Sequence, residues 1–531
     1  MASTGPYALV VPLLSYINAD IGPSNQIIWV ALAHQLSSSV VYLLVGRLSD
    51  VFGRRWFFIL GSCFGLLGCI IGATAQNVNT LIGGQVFCGL GTGFQLSAFW
   101  VISEIVPMRY RLIGVSSAYI FAIPTSPLAA KISSLLQNNT SSHWRTSYYI
   151  LIAINAASVL CWYFFYHPPT YKMLHRRTAA KTLLRRFDWI GLVLFVAGLF
   201  TLLMGLSWGG VVYPWKSGRV IGCIVGGAFL LAVFFVWEIF LPLGSDPYIP
   251  SWCFKNGRFQ ACAWIAAIGA SVFYAYALIW PSAVAVIYSE HSTSYKATIT
   301  GLPTMGVVFG QIVGGYVGTW TGPKWGTIAF MYICVPILAG CAYDPLNEKL
   351  TTGLMITGTF FNGMMESIAV TATTFPLKNQ AEIGTAGGLA GTIRSTGSTI
   401  AVTILSTVLT NRLGKTIPKY VVQAATAAGL PVSSIPALIS GLGGLTPLNS
   451  GTVPGLTSKI IASATQAYKV AYAEAFKTVF LVNLAFGGCG LILVWFVMDK
   501  DKDMEQFVGA HIHNTKDEKA LENDEPVPVV T

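Results

Sequence analysis

The sequence predicts an all-α integral membrane protein of fourteen spans, the first of them short. Three observations carry this. The 531 residues are 54% hydrophobic and only 10% charged, with a mean hydropathy of +0.62, whereas charged residues make up about 25% of a soluble domain. Apolar runs of about 20 residues, the length a bilayer-crossing helix needs, recur along the chain. Finally, Lys and Arg are divided unevenly among the segments between those runs, which fixes one orientation.

The first run, Tyr7 to Ile17, covers only about 11 residues and falls short of a span. It has neither the basic lead nor the small-residue cleavage site of a signal peptide, so it reads as the outer half of a first helix. Either an upstream exon is missing or the chain begins inside the fold. Further spans are expected at 26–45, 56–75, 80–102, 112–131 and 146–166. A basic segment, His167 to Phe187, precedes two spans at 188–206 and 218–240, and a Pro- and Gly-containing loop runs from Leu241 to Arg258. Six more follow at 259–281, 298–318, 327–343, 350–374, 384–408 and 476–498.

This six-two-six plan divides the chain into an N-terminal bundle (1–166), a basic loop with two linker helices (167–258) and a C-terminal bundle (259–498). Within the last, the segment 409–475, rich in Ala, Gly, Ser, Thr and Pro, is too polar to span. It is expected to be the last extracellular loop, a partly helical surface cap. The tail 499–531 mixes Lys, Asp and Glu and is expected to be disordered.

With the loop Gly46–Arg55 inside, the cytoplasmic segments hold 19 Lys plus Arg and the short outer loops hold 6. That asymmetry places the hairpin and the C-terminus in the cytoplasm. The net charge of +11 records the same retained cations, so it is no argument for a nucleic-acid partner. The ten cysteines, all but Cys253 in or beside apolar runs, lack metal-ligand spacing and read as small packing residues. No Gly-rich phosphate loop and no Ser/His/Asp set near one face is found. An enzyme is therefore not expected, nor any cofactor or metal. Asn138 and Asn139, each two residues before Thr140 or Ser141, match the N-glycosylation acceptor pattern.

The candidate functional residues are those where charge or bare backbone stands out. Gly46-Arg47-Leu48-Ser49-Asp50-Val51-Phe52-Gly53-Arg54-Arg55 is a tight hairpin between two spans. Asp50, at the end of its span, can accept from the free N–H groups of another helix start, and Gly384-Thr385-Ala386-Gly387-Gly388 is a start with no bulky side chain in the way. Such a contact would close the cytoplasmic face, with Arg54 and Arg55 holding the hairpin against acidic or phosphate groups. The alternative is a plain topological anchor. Glu104, followed by Pro107, Arg109 and Arg111, forms a second charge cluster near this gate.

Glu366 and Arg394 lie well inside apolar spans, where an Asp, Lys or Arg costs roughly 2.5–3.5 kcal/mol on insertion scales. Counted from the cytoplasmic ends they sit at matching depth, so they can meet. They read either as a titrating carboxylate beside a fixed cation, able to couple protons to transport, or as a static buried ion pair. His34, Gln35, Gln85, Gln95, Gln311 and Asn362 are the neutral polar candidates inside spans. Trp208-Gly209-Gly210 with Tyr213 and Trp215 reads as an interfacial belt. The small residues of 83–98 and 384–398 permit close helix packing.

The hairpin, extended through Trp56-Phe57-Phe58, resembles the signature loop between helices 2 and 3 of the major facilitator superfamily. Together with Gly72-Ala73-Thr74-Ala75-Gln76-Asn77 onward to Gly84, Glu104-Ile105-Val106-Pro107, Asp188-Trp189-Ile190-Gly191 and Trp208-Gly209-Gly210, it is similar to the fourteen-helix fungal branch that includes trichothecene efflux pumps and siderophore-iron transporters. The resemblance implies a major facilitator fold of two six-helix bundles plus two linker helices, rocking about a midplane cavity. It also implies secondary transport, no prosthetic group and a fungal plasma membrane. The expected activity is efflux of a toxin or secondary metabolite. A siderophore-iron importer and a non-transporting receptor on the same fold are the alternatives.

The expected partners are the bilayer, a small-molecule substrate and, where coupling holds, protons, with the chain acting as a monomer. Two positions depart from the drug:proton antiporters of the superfamily. Gln85 stands where an arginine usually precedes Gly89 by four residues, and Ser126-Pro127-Leu128-Ala129-Ala130 replaces a Gly-Pro followed by a Gly pair. Both weigh against ordinary antiport and leave Glu366 as the better proton-carrier candidate.

Overall fold

The computed structural model describes residues 1–24, 26–167, 186–210, 212–240, 247–377, 382–443 and 453–498. The tail 499–531 and most of the basic segment after His167 lie outside these residues. The first run is split: Gly5–Ala8, a 3-10 turn Val11–Leu13 around Pro12, then α1 (Leu14–Ile21). The remaining spans are α2 (Trp29–Phe52), α3 (Arg55–Thr74), α4 (Val78–Ile105), α5 (Met108–Asn139) and α6 (Arg145–Phe165). The linker pair is α7 (Trp189–Trp208) and α8 (Gly218–Ile239). The second half contains α9 (Gly257–Ile287), α10 (Thr293–Thr321), α11 (Pro323–Gly340), α12 (Glu348–Ala372), α13 (Ile383–Ala427) and α14 (Ser458–Leu493). The fourteen-helix plan is thus realised, with a short first helix.

Side-chain caps start several of these helices where the sequence supplies them. Asn77, Asp188, Asn256, Ser292, Asn347 and Thr457 each accept from a backbone N–H in the first turn of α4, α7, α9, α10, α12 and α14, answering donors that would otherwise be orphaned. Among the described residues ten helices are long and apolar enough to cross a membrane. α11, α12 and α13 fall below that mark. α11 opens on Pro323 and Lys324 and carries a second proline, Pro336, which lowers its hydropathy, and the other two are rich in Gly, Ser and Thr because their neighbours are helices and not lipid.

In the first half α3 packs on α4 and α6, and α2 on α4; in the second, α12 packs on α10 and α11, and α9 on α13 and α14. The halves meet along two seams, α2 with α13 and α5 with α10. α7 and α8 pack chiefly on each other, and α7 also touches α2 and α13.

The segment 409–475 differs from the expected loop. α13 runs on to Ala427 and α14 begins at Ser458, with a short helix Ile435–Leu442 between them. Val421, Ile435, Leu438, Val453 and Ile460 form a small apolar core there. Arg412, Lys415 and Lys419 in α13 and Lys459, Lys469 and Lys477 in α14 make these extensions too polar for a bilayer without stopping a helix, so hydropathy alone ends both helices too soon. Asn138 and Asn139 are exposed at the end of α5.

Candidate functional site

At the end of α2 the backbone comes against the start of α13. A Cβ on Gly46 would lie 2.3 Å from the Gly384 carbonyl oxygen and 2.8 Å from Gly388 Cα, so this approach requires glycine. It sets Asp50 at the α13 N-terminus. Asp50 Oδ2 accepts from the Thr385 backbone N–H at 2.6 Å and from the Thr385 hydroxyl at 2.8 Å, where free donors and the positive helix end favour a carboxylate. Arg54 donates to Asp50 Oδ1 at 2.8 Å and also to Glu104, which joins α2, α4 and α13 through one guanidinium. Gly53 adopts φ +87° as the chain turns into α3, and Gly387 lies bare against Trp100, 2.3 Å from where a Cβ would sit.

Two expected members stand apart. Arg55 donates to the Tyr163 carbonyl at 2.6 Å and covers that ring. Arg109 is exposed and lies over Tyr110. The buried cation of the stretch is Arg111, whose Nε donates to the Val106 carbonyl at 3.3 Å. Met108–Tyr110 is a 3-10 turn, and with about three residues per turn positions 109 and 111 cannot share a face.

Deeper in the bilayer, Arg394 Nε and Nη2 donate to Glu366 Oε1 at 2.9 and 2.6 Å. Gln311 Nε2 donates to Glu366 Oε2 at 3.1 Å. Glu366 is fully buried and is seated against Gly269, where a Cβ would approach it to 2.7 Å. Asn362 ties the same strip of α9 by donating to the Gly269 carbonyl at 3.0 Å. The guanidinium of Arg394 also lies 5.9 Å from the Tyr274 ring centre. Beside this pair is a cavity of about 110 Å³ between the halves, walled by Tyr42, Phe99, Trp100, Tyr119, Phe273 and Tyr274, with Gln311 and Arg394 among its polar groups.

The other polar candidates form two networks. Gln85 Nε2 donates to the Tyr148 hydroxyl at 2.9 Å, while its Oε1 lies 3.2 Å from His34 Nδ1 and His34 Nε2 lies 3.3 Å from the Thr92 hydroxyl. Gln95 donates to Asn155 Oδ1 at 2.9 Å. Both networks stay within the first half.

Sequence reasoning missed two features. The first is a hydroxyl seam across α2 and α13. Gln35 Nε2 donates to Ser395 and Ser398 at 3.0 and 2.7 Å, Ser39 donates to Ser395 at 2.8 Å, and the Leu43 N–H donates to Thr392 at 3.0 Å. The second is an internal repeat of the hairpin. Gly315 and Gly322 on α10 are spaced as Gly46 and Gly53 are, Gly322 has φ +80° and ψ +153° against +87° and +152° for Gly53, and each turn is followed three residues later by tryptophan, Trp56 or Trp325. Gly315 lies against α5 as Gly46 lies against α13: a Cβ would meet the Leu112 carbonyl oxygen at 2.2 Å. The readable signal was two glycines seven apart with a tryptophan three further on.

Two helical halves meeting along paired seams, with an aromatic cavity between them and a carboxylate-capped helix start on one seam, are the architecture of a transporter of the major facilitator type. The profile of the fungal trichothecene efflux pump family, TRI12, matches residues 8–528, and the chain belongs to that family. It is 25% identical to the trichothecene efflux pump TRI12 of Fusarium sporotrichioides, over 97% of this chain and 88% of that one. It is 28% identical to the MFS-type transporter prx5 of Penicillium rubens, over 94% and 89% of the two chains. Among solved structures, a bacterial homologue of the human lysosomal transporter Spinster, in an inward-facing unoccupied conformation, matches with a TM-score of 0.47 at 12% identity, over 93% of this chain and 94% of that one.

Proposed function

We propose that this transporter expels a small, largely apolar organic molecule, a toxin or secondary metabolite, across the fungal plasma membrane by rocking its two halves about the central cavity. The observation that supports this best is the cavity wall: seven aromatic side chains with only a few polar groups, suited to a ring-bearing substrate whose polar atoms meet Gln311 and Arg394. The names of the relatives favour efflux. In this reading the hairpin and the C-terminus are cytoplasmic, and one chain acts alone.

The Asp50–Thr385 contact then holds the cytoplasmic face shut while the cavity faces out. Glu366 is the group that takes up a proton, releasing Arg394 to bind the substrate's polar atoms. Inside-out vesicles carrying the purified chain test the whole reading. A trichothecene should accumulate in them when a proton gradient is imposed, and a vesicle that accumulates nothing with or without the gradient argues against it.

A further inference from the structure

On the hairpin face of the second half, the starts of α9 and α11 and the residues ending α14 surround a second cavity, of about 430 Å³. It shares no lining residue with the central one. Its charged lining is Arg258 and Lys324, and the rest is Gly257, Trp495, Phe496, Val497 and Met498. Among the described residues neither cation makes an ion pair. The rim is apolar and exposed, at 52% for Trp495, 61% for Phe496 and 55% for neighbouring Trp325. α11 also begins without a side-chain cap, so its first N–H groups add to the positive field.

Two cations without an ion pair among the described residues, under an exposed aromatic rim, answer one kind of occupant. We propose that this cavity holds the headgroup of an anionic glycerophospholipid, its phosphate between Arg258 and Lys324 and its chains over Trp495 and Phe496. Basic recesses between spans bind acidic headgroups in this way. A zwitterionic lipid brings no net negative charge for the two cations to hold, and free phosphate brings no chains for the aromatic rim.

The test uses the purified full-length chain in non-ionic detergent, with native mass spectrometry counting retained lipid. Phosphatidylserine should be retained several-fold over phosphatidylcholine. Arg258→Gln with Lys324→Gln should weaken that retention about thirty-fold, from the loss of two surface cations. Arg258→Lys with Lys324→Arg should keep it, which separates loss of charge from loss of fold. Equal retention of the two lipids, or unchanged retention in the Gln variant, overturns the proposal. Displacement of phosphatidylserine by millimolar inorganic phosphate also overturns it, by showing an ion site and not a lipid site.

Discussion

Asp50 meets the first turn of α13 and Arg54 at once, so its charge matters more than its shape. Asp50→Asn keeps an acceptor for Thr385 but loses the charge, and hydrogen bonds to a charged group contribute roughly 1.5–3 kcal/mol. Transport per molecule should therefore fall about tenfold or more while surface abundance stays near normal; flux in reconstituted vesicles, normalised to protein, measures this. For the central pair, Glu366→Gln should leave exchange that no longer follows the proton gradient, read as a flattened pH profile of flux. Arg394→Ala alone should lower protein abundance more than the double replacement, because an unpartnered buried charge costs about 3–5 kcal/mol, and quantitative immunoblotting ranks the two. Glu366 and Arg394 were legible because a charge inside an apolar run has few explanations. Gln35 and Ser395 were legible only as polar residues. In a helix a serine can equally bond its own backbone, as Ser38 and Ser39 do to the Gln35 carbonyl, so the sequence does not say which hydroxyl crosses to a neighbour.

The seam between α2 and α13 depends on bare backbone. Gly46→Ala places a methyl group against the Gly384 carbonyl and should largely abolish transport. Gly414→Ala on the same α13, with nothing within 4 Å of its Cβ position, should be tolerated and stabilise the helix by up to about 1 kcal/mol; paired flux and thermal-unfolding assays separate the two. Past the bilayer, Lys469 of α14 donates to Glu290 at 2.6 Å, and that hydrogen bond, with the lysine's charge, holds the exposed carboxyl below its ordinary value. A depressed carboxyl helps above its unfolded value of about 4.3 and stops helping as pH falls through its folded one. Protease nicking within 288–292 should therefore increase only in strong acid, and Lys469→Met should remove that difference. Helix existence was legible throughout, but helix ends were not. Hydropathy reports the lipid boundary, and α13 and α14 continue past it on Ala-rich sequence.

For the molecule as a whole, rocking requires both seams to part at one face in turn. Cysteines at 39 and 395, whose hydroxyl oxygens lie 2.8 Å apart, should form a bridge that stops transport, with reductant restoring it; undiminished flux in the oxidised protein would count against rocking along α2 and α13. The six-two-six plan followed from apolar runs and loop charge because those respond to the bilayer, a solvent the whole chain shares. The pairing of the halves did not, since it rests on glycines whose partners lie hundreds of residues away.

A door is fastened differently on its two edges, and the duplicated glycine turn gives this molecule the same edge twice. At the first, Asp50 grips the facing helix by its end. At the second, the position equivalent to Asp50 is Thr319, whose hydroxyl donates to the Gly315 carbonyl of its own helix at 2.8 Å. Removing the carboxylate should therefore loosen the first edge alone and leave the second, packed on the bare backbone of Gly315, as a pivot.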